Sequence, residues 1–288
     1  MKVIVIGGIA GGPSFATRFR RLNEQNEIII LERGEHISIA SCALPYYLGG
    51  VITDRDSLIE RTPEILKQKN NIDVRVRHEV TAIDPERHVL NVTNLETDQQ
   101  YEESYDKLVL ATGARPVLPG IKGIEQAINT FTLRSLADGD RIKQFIQSES
   151  PKRVTILGAG AAGVELSENL QRLGLSVTLL DQADQVMQPY DPELTGFLKD
   201  ELVNNGVDVQ LGETIDSVEE HGHQLHLSDG SVLTTDMLLV VTGVTPNSEL
   251  AENAGLKLSA DRHIVVDDQL ATSVPDIYAI GDVIETTS

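Results

Sequence analysis

The sequence predicts an α/β fold made of two Rossmann-like dinucleotide-binding domains. Three observations carry this. A strand, glycine turn, helix and second strand open the chain. The same grammar returns at Val154, and each copy is followed by a hairpin pattern and an apolar strand running into Thr-Gly. At 288 residues the chain has the length of two ordinary domains.

The first unit starts with the apolar run Val3 to Ile6, a glycine cluster, a helical stretch from about Pro13 to Asn23, and a second apolar run from Glu27 to Leu31 that ends in Glu32. The second unit repeats it: Val154 to Leu157, then Gly158-Ala159-Gly160-Ala161-Ala162-Gly163, a helix to about Leu173, and Ser176 to Leu180 ending in Asp181. Continuous apolar strands of this kind belong to a parallel sheet covered on both faces. Downstream of the first unit lie Val89 to Val92, a polar turn, and Lys107 to Ala111 before Thr112-Gly113. Downstream of the second lie Leu225 to Leu227, the Asp229-Gly230 turn, and Met237 to Val241 before Thr242-Gly243. Asp-Gly between such runs marks a hairpin.

Gly158, Gly160 and Gly163 form an intact G-x-G-x-x-G. The first glycine permits the tight turn, the second lets backbone approach a pyrophosphate, and the third lets the helix pack on the strand. The helix N-terminus then offers free N–H groups to the phosphates. Asp181, ending the next strand, stands where an acid accepts hydrogen bonds from ribose hydroxyls. A carboxylate there repels a 2′-phosphate, and no arginine follows it in Gln182 to Gln185, so NADH is favoured and NADPH stays as the alternative. The first turn carries Gly7, Gly8, Gly11 and Gly12 but has Ile9 in place of the second glycine; Glu32 is its ribose acid.

Composition excludes other partners. The 24 basic residues are outweighed by 44 acidic ones, for a net charge of -20, and aromatics make up 4% with no Trp. Neither nucleic acid nor an anionic membrane has a basic footprint to hold. No apolar run approaches the roughly 20 residues of a membrane span, and nothing near Met1 reads as a signal peptide. The expectation is a soluble, cytoplasmic protein. His221, His223 and His226 cluster, but the segment reads as a polar hairpin with exposed loop histidines, and no metal is expected.

Cys42 is the single cysteine. It lies in Ser38-Ile39-Ala40-Ser41-Cys42-Ala43-Leu44-Pro45-Tyr46-Tyr47, directly after a nucleotide-binding unit and outside any continuous apolar strand. A redox role is favoured over that of a buried small hydrophobe. One thiol makes no internal disulfide. Cys42 can form a mixed disulfide with a small-molecule thiol or a sulfenic acid with a peroxide.

These features resemble the pyridine nucleotide-disulfide oxidoreductases, and among them the single-cysteine branch of CoA-disulfide reductases, NADH oxidases and NADH peroxidases. The resemblance implies two FAD/NAD(P)-binding domains of the three-layer ββα kind with a discontinuous FAD domain: residues 1–115 and 248–288 for FAD, and 116–247 for the nicotinamide nucleotide. The FAD residues it implies are Gly7, Gly8, Ala10, Gly11, Gly12, Glu32, Arg33, Ser41, Thr112, Gly113, Gly281 and Asp282. Those implied for NAD are Gly158, Gly160, Ala161, Ala162, Gly163, Glu165, Asp181 and Gly243. Cys42-Ala43-Leu44-Pro45-Tyr46-Tyr47 is most like the CoA-disulfide reductases, although Ile39 and Ser41 stand where that motif usually has Phe and Asn. By the same resemblance Cys42 is the redox-active residue, a small-molecule disulfide such as CoA-disulfide is the substrate, and Arg18, Arg21, Ser38 and Ser41 contact it. The alternatives are an oxidase or peroxidase using a sulfenic acid, and a non-catalytic flavin-binding fragment. Members of the branch continue into a C-terminal dimerisation domain with no counterpart in this sequence, so a homodimer is expected for a full-length member and left open for this chain.

Overall fold

The computed structural model describes residues 1–285, so the last three residues of the expected 248–288 segment lie outside it. The chain divides into two units. One comprises Met1–Ile39, Ile59–Arg115 and Thr245–Ser288; the other comprises Ala40–Leu58 and Pro116–Val244.

The first unit is built on a five-stranded sheet in the order Ile277–Ala279, Lys107–Leu110, Lys2–Ile6, Glu27–Leu31, Asp73–Arg75, with every neighbouring pair parallel. Alternation along the strands sorts its apolar side chains into two cores. Val3, Val5, Ile28, Ile30 and Val109 pack with Ala16 and Leu66 from the helices Gly11–Leu22 and Pro63–Asn70. Ile4, Ile6, Ile29, Leu31, Leu108 and Leu110 face Val80, Leu90 and Val92 of an antiparallel sheet made of His78–Asp84, Val89–Asn94 and Gln100–Ser104.

The second unit repeats this plan. Its parallel sheet runs Asp208–Leu211, Ser176–Asp181, Arg153–Leu157, Met237–Val240, Thr130–Thr132. Val154, Ile156, Val177, Leu179, Met237 and Leu239 meet Ile142, Leu166 and Leu170 on the helical side. Leu157, Leu180, Leu238 and Val240 meet Ile215, Val218, Leu225 and Leu227 of the antiparallel sheet Ile215–Glu219, Gln224–Leu227, Val232–Thr234. Each unit is therefore a three-layer ββα sandwich with a parallel central sheet. No described helix is long and apolar enough to cross a membrane.

The structure differs from the sequence expectation in two places. The hairpins are three-stranded sheets, because His78–Asp84 and Ile215–Glu219 join them. Both added strands carry a register shift, at Val80/Ala82 and at Ile215/Ser217, and a bulge destroys the strict alternation by which a strand is read. The second difference is residues 40–58, expected with the first domain but clustering with the second unit, and the return crossing falls at 244/245 instead of 247/248.

One polar anchor of the second unit gives a test of its stability. Asp236 accepts hydrogen bonds from the backbone N–H groups of Lys152 and Arg153, each at 2.9 Å, and pairs with the Arg153 guanidinium at 2.7 Å. The Arg153 side chain foremost, and then these backbone donors, hold its carboxyl well below the usual carboxylate range. A depressed folded-state pKa stabilises above the unfolded value and loses that contribution as pH falls through the folded one. Asp236→Asn is expected to cost about 1 kcal/mol at pH 7. In thermal melts its deficit against the unsubstituted chain closes progressively below about pH 4.

Candidate functional site: two glycine turns and one exposed thiol

In the first unit three sequence-distant motifs meet at the carboxyl ends of three adjacent parallel strands. The Gly7 turn follows Lys2–Ile6, Thr112-Gly113 follows Lys107–Leu110, and Gly281-Asp282 follows Ile277–Ala279. Ligands of open α/β sheets bind at such carboxyl ends. Gly7 has φ +108, and a Cβ there would lie 2.1 Å from the Ala111 carbonyl oxygen; on Gly12 it would lie 1.9 Å from that of Gly7. Ile9, in the place of the second glycine, is 40% exposed, so the position opens outward and tolerates a side chain. The helix Gly11–Leu22 has no side-chain cap and no acid in its first turn, which leaves its leading N–H groups for an anion.

Glu32 is buried, and its two oxygens accept from Gly8 N–H at 2.6 Å and Gly34 N–H at 2.7 Å. The acid thus ties together the loops on either side of it and keeps lone pairs for further donors. Asn247, which sequence reasoning missed, sets the Thr112-Gly113 turn. Its Nδ2 donates to the Thr112 carbonyl at 2.9 Å and its backbone N–H to that of Gly113 at 2.9 Å, while its own carbonyl accepts from Thr112 Oγ1 at 2.8 Å. A lone Asn after a proline has no motif spacing to announce it.

The second unit carries the same cradle. Gly158 has φ +115 and a Cβ on it would lie 2.5 Å from the Val241 carbonyl oxygen; on Gly163 it would lie 1.8 Å from that of Gly158. Around Gly160 a Cβ would meet nothing within 4 Å, so its glycine is not demanded by the protein itself. The helix Ala161–Arg172 again begins with no side-chain cap and no acid in its first turn. Asp181 accepts from Ala159 N–H at 2.5 Å and Ala183 N–H at 2.8 Å, as Glu32 does in the first unit. Gly243, with φ +139, follows the neighbouring strand Met237–Val240. Burial, with Glu168 adding to it, raises the Glu165 carboxyl above its ordinary value. Backbone that only glycine permits, uncapped helix ends and a paired acid fit a dinucleotide in both units.

Cys42 is exposed and sits in the short 3-10 turn Ser41–Ala43, continued by the helix Leu44–Leu48. That helix is fastened to two helices of the second unit. Gly139 of Leu136–Glu149 leaves room for Leu44 and Tyr47, and a Cβ on Gly49 would lie 2.6 Å from Oδ1 of the buried Asn169 in Ala161–Arg172. The Tyr47 hydroxyl donates to Asp140 at 3.2 Å, and Lys143 Nζ lies 3.7 Å above the Tyr47 ring. Burial, reinforced by Asp140, pushes the Tyr47 phenol up, and the hydrogen bond to Asp140 raises Arg55.

All 288 residues match the pyridine nucleotide-disulphide oxidoreductase family. The chain belongs to that family. It is 40% identical over 98% of its length to the coenzyme A disulfide reductase of Staphylococcus aureus (strain JH9), of which it covers 63%. Among solved structures it is similar to reduced Bacillus anthracis CoADR-RHD, with 46% identity, a TM-score of 0.96, and coverage of 98% of this chain and 51% of that one. It is also similar to an NAD-dependent persulfide reductase from A. fulgidus, with 35% identity, a TM-score of 0.94, and coverage of 100% and 54%. The chain therefore spans less than two thirds of the length of these relatives.

In this family member, the residues nominated for substrate are placed unevenly. Arg18 and Arg21 are exposed on the first helix, whereas their neighbour Arg20 is buried and bonded to the carbonyls of Asn70, Asn71 and Glu24. Ser38 is buried at φ +50, with its N–H on the Gly8 carbonyl at 2.8 Å; Ser41 is half-buried beside Cys42. Arg33 and Asp282 are exposed, as are Ala10, Ala161 and Ala162 on the two turns. The histidine segment corrects one expectation: His226 is on the strand Gln224–Leu227, half-buried, 3.4 Å from Glu219. Among the described residues no group of three His, Cys, Asp or Glu converges as a metal site would require.

Proposed function

We propose that the chain is the electron-transfer core of a flavin-dependent NADH oxidoreductase that reduces a small-molecule disulfide, CoA-disulfide by preference, through Cys42. The observation that carries this reading is the pairing of two matching glycine cradles with a single exposed thiol. FAD belongs on the Gly7–Gly12 turn with Glu32, Thr112-Gly113 and Gly281-Asp282, and NADH on the Gly158–Gly163 turn with Asp181. The coenzyme A disulfide reductase relative supports the substrate class.

When bound, the flavin supplies hydride acceptance from the nicotinamide and an electron pair for the oxidised cysteine. The protein's own part is binding and nucleophilic chemistry. The glycine turns bring backbone N–H groups to the pyrophosphates. Glu32 and Asp181, held by backbone donors, keep acceptor capacity for ribose hydroxyls. The Asp181 carboxylate and the uncharged Gln182 favour NADH over NADPH. Cys42 thiolate attacks one sulfur of the substrate disulfide, forming a mixed disulfide and expelling one thiolate. Two electrons then cleave the mixed disulfide, releasing the second thiolate and restoring Cys42. Arg18 and Arg21 offer an anionic substrate an exposed cationic helix face, and Ser41 is the serine free to serve beside the thiol.

The test is stoichiometric. Each NADH consumed with CoA-disulfide is expected to release two CoA thiols under air, with oxygen uptake a minor fraction. Oxygen or peroxide consumption that outruns thiol release would replace this reading with an oxidase or peroxidase one.

A further inference from the structure

We propose that Asp140 is the positioning residue for Cys42, fixing the thiol-bearing segment to the nicotinamide unit. The inference rests on the redox reading of Cys42 for its functional meaning, though the placement itself stands on contacts within one unit. Residues 40–58 leave and return at a base closed by the Ala40 N–H on the Leu58 carbonyl at 2.9 Å. Cys42 sits at the start of the excursion, in a turn closed by the Ala43 N–H on the Ala40 carbonyl at 3.0 Å.

One carboxylate grips both arms of that excursion. Asp140 Oδ1 accepts from the Tyr47 hydroxyl at 3.2 Å on the outgoing arm. On the returning arm Arg55 places Nε 3.0 Å from Oδ1 and 2.9 Å from Oδ2, and a terminal nitrogen 2.8 Å from Oδ2. Such forked pairing fixes geometry as well as charge. Both side chains of the ion pair are only about a third exposed, so solvent screens them less than a surface pair. A turn further along the same helix, Lys143 Nζ donates to the Tyr47 carbonyl at 3.3 Å and lies over its ring. Gly139, immediately before Asp140, lets the arm approach closely: a Cβ there would already lie 3.2 Å from Leu44 Cδ2. Carboxylate, ammonium and bare glycine on one helix all address the five-residue helix that directly follows Cys42.

The experiment compares the unsubstituted chain with Asp140→Ala and Asp140→Asn by amide hydrogen exchange and by the rate at which Cys42 exchanges with hydroxyethyl disulfide. In Asp140→Ala, exchange across residues 44–58 is expected to rise about ten-fold or more and the thiol exchange rate to shift about five-fold or more. Strand Arg153–Leu157, helix Ala161–Arg172 and NADH affinity should stay unchanged. Asp140→Asn, which keeps an acceptor for Tyr47 but loses the charge for Arg55, should fall between. Unchanged exchange and thiol reactivity in Asp140→Ala would overturn the proposal, and so would loosening spread equally over residues 161–172. Both readouts are independent of flavin turnover. A Cys42 that is redox-inert yet Asp140-dependent in labelling would sink the redox reading while leaving the positioning intact.

Discussion

Cys42→Ser is expected to abolish disulfide reduction, with a loss of about 10³-fold or more, while transfer from NADH to bound flavin proceeds at its normal rate. The thiolate is the attacking species in disulfide exchange. A serine hydroxyl is scarcely ionised near neutral pH and cannot form a mixed disulfide. Because Cys42 is the only cysteine, no second thiol substitutes for it. Its exposure and its place in a short helical turn also mean that the replacement disturbs little packing. Separate measurement of NADH-driven flavin reduction and of thiol release reads the two half-reactions apart. Retention of full disulfide reductase activity in Cys42→Ser would remove the thiol from the mechanism.

The second large effect separates folding from ligand binding within a single turn. Gly158→Ala forces an L side chain into φ +115 and puts its Cβ 2.5 Å from the Val241 carbonyl oxygen. Strain and overpacking together are expected to cost about 3 kcal/mol, a fall in melting temperature of roughly 6–12 °C. Gly160→Ala meets no protein atom within 4 Å and should melt as the unsubstituted chain does. The added methyl instead occupies the approach of the pyrophosphate, and NADH affinity is expected to fall about ten-fold or more, equivalent to about 1.4 kcal/mol. Melting curves with and without NADH check both. A Gly160→Ala chain that binds NADH normally would mean the nucleotide does not lie on this turn.

The same contrast explains what the sequence made legible. Backbone demands written in residue type were readable: glycines at the two turns, acids at the ends of the next strands, and unbroken apolar strands for a sheet covered on both faces. Ile9 obscured the first turn because the fold itself demands no glycine at the second position of the pattern: Ile9 points outward there, and around Gly160 a Cβ would meet nothing within 4 Å. The missing parts lack any local period. Bulges hid His78–Asp84 and Ile215–Glu219. Residues 40–58 follow the first unit in sequence, and only the long-range contacts of Leu44, Tyr47, Gly49 and Arg55 with two later helices assign them to the second. Arg20 and Arg21 are neighbours in sequence, yet one is buried on backbone carbonyls and the other faces solvent. Asn247 and Asp140 act through partners more than eighty residues away, a separation that no sequence window spans.

Passage of electrons from NADH through flavin to Cys42 is decided by anaerobic titration of the purified chain with NADH while the flavin spectrum is recorded. NADH is expected to bleach the flavin and to produce a long-wavelength charge-transfer band that Cys42→Ser removes. A chain that carries no flavin, a flavin that NADH does not reduce, or a band that survives Cys42→Ser would contradict that passage.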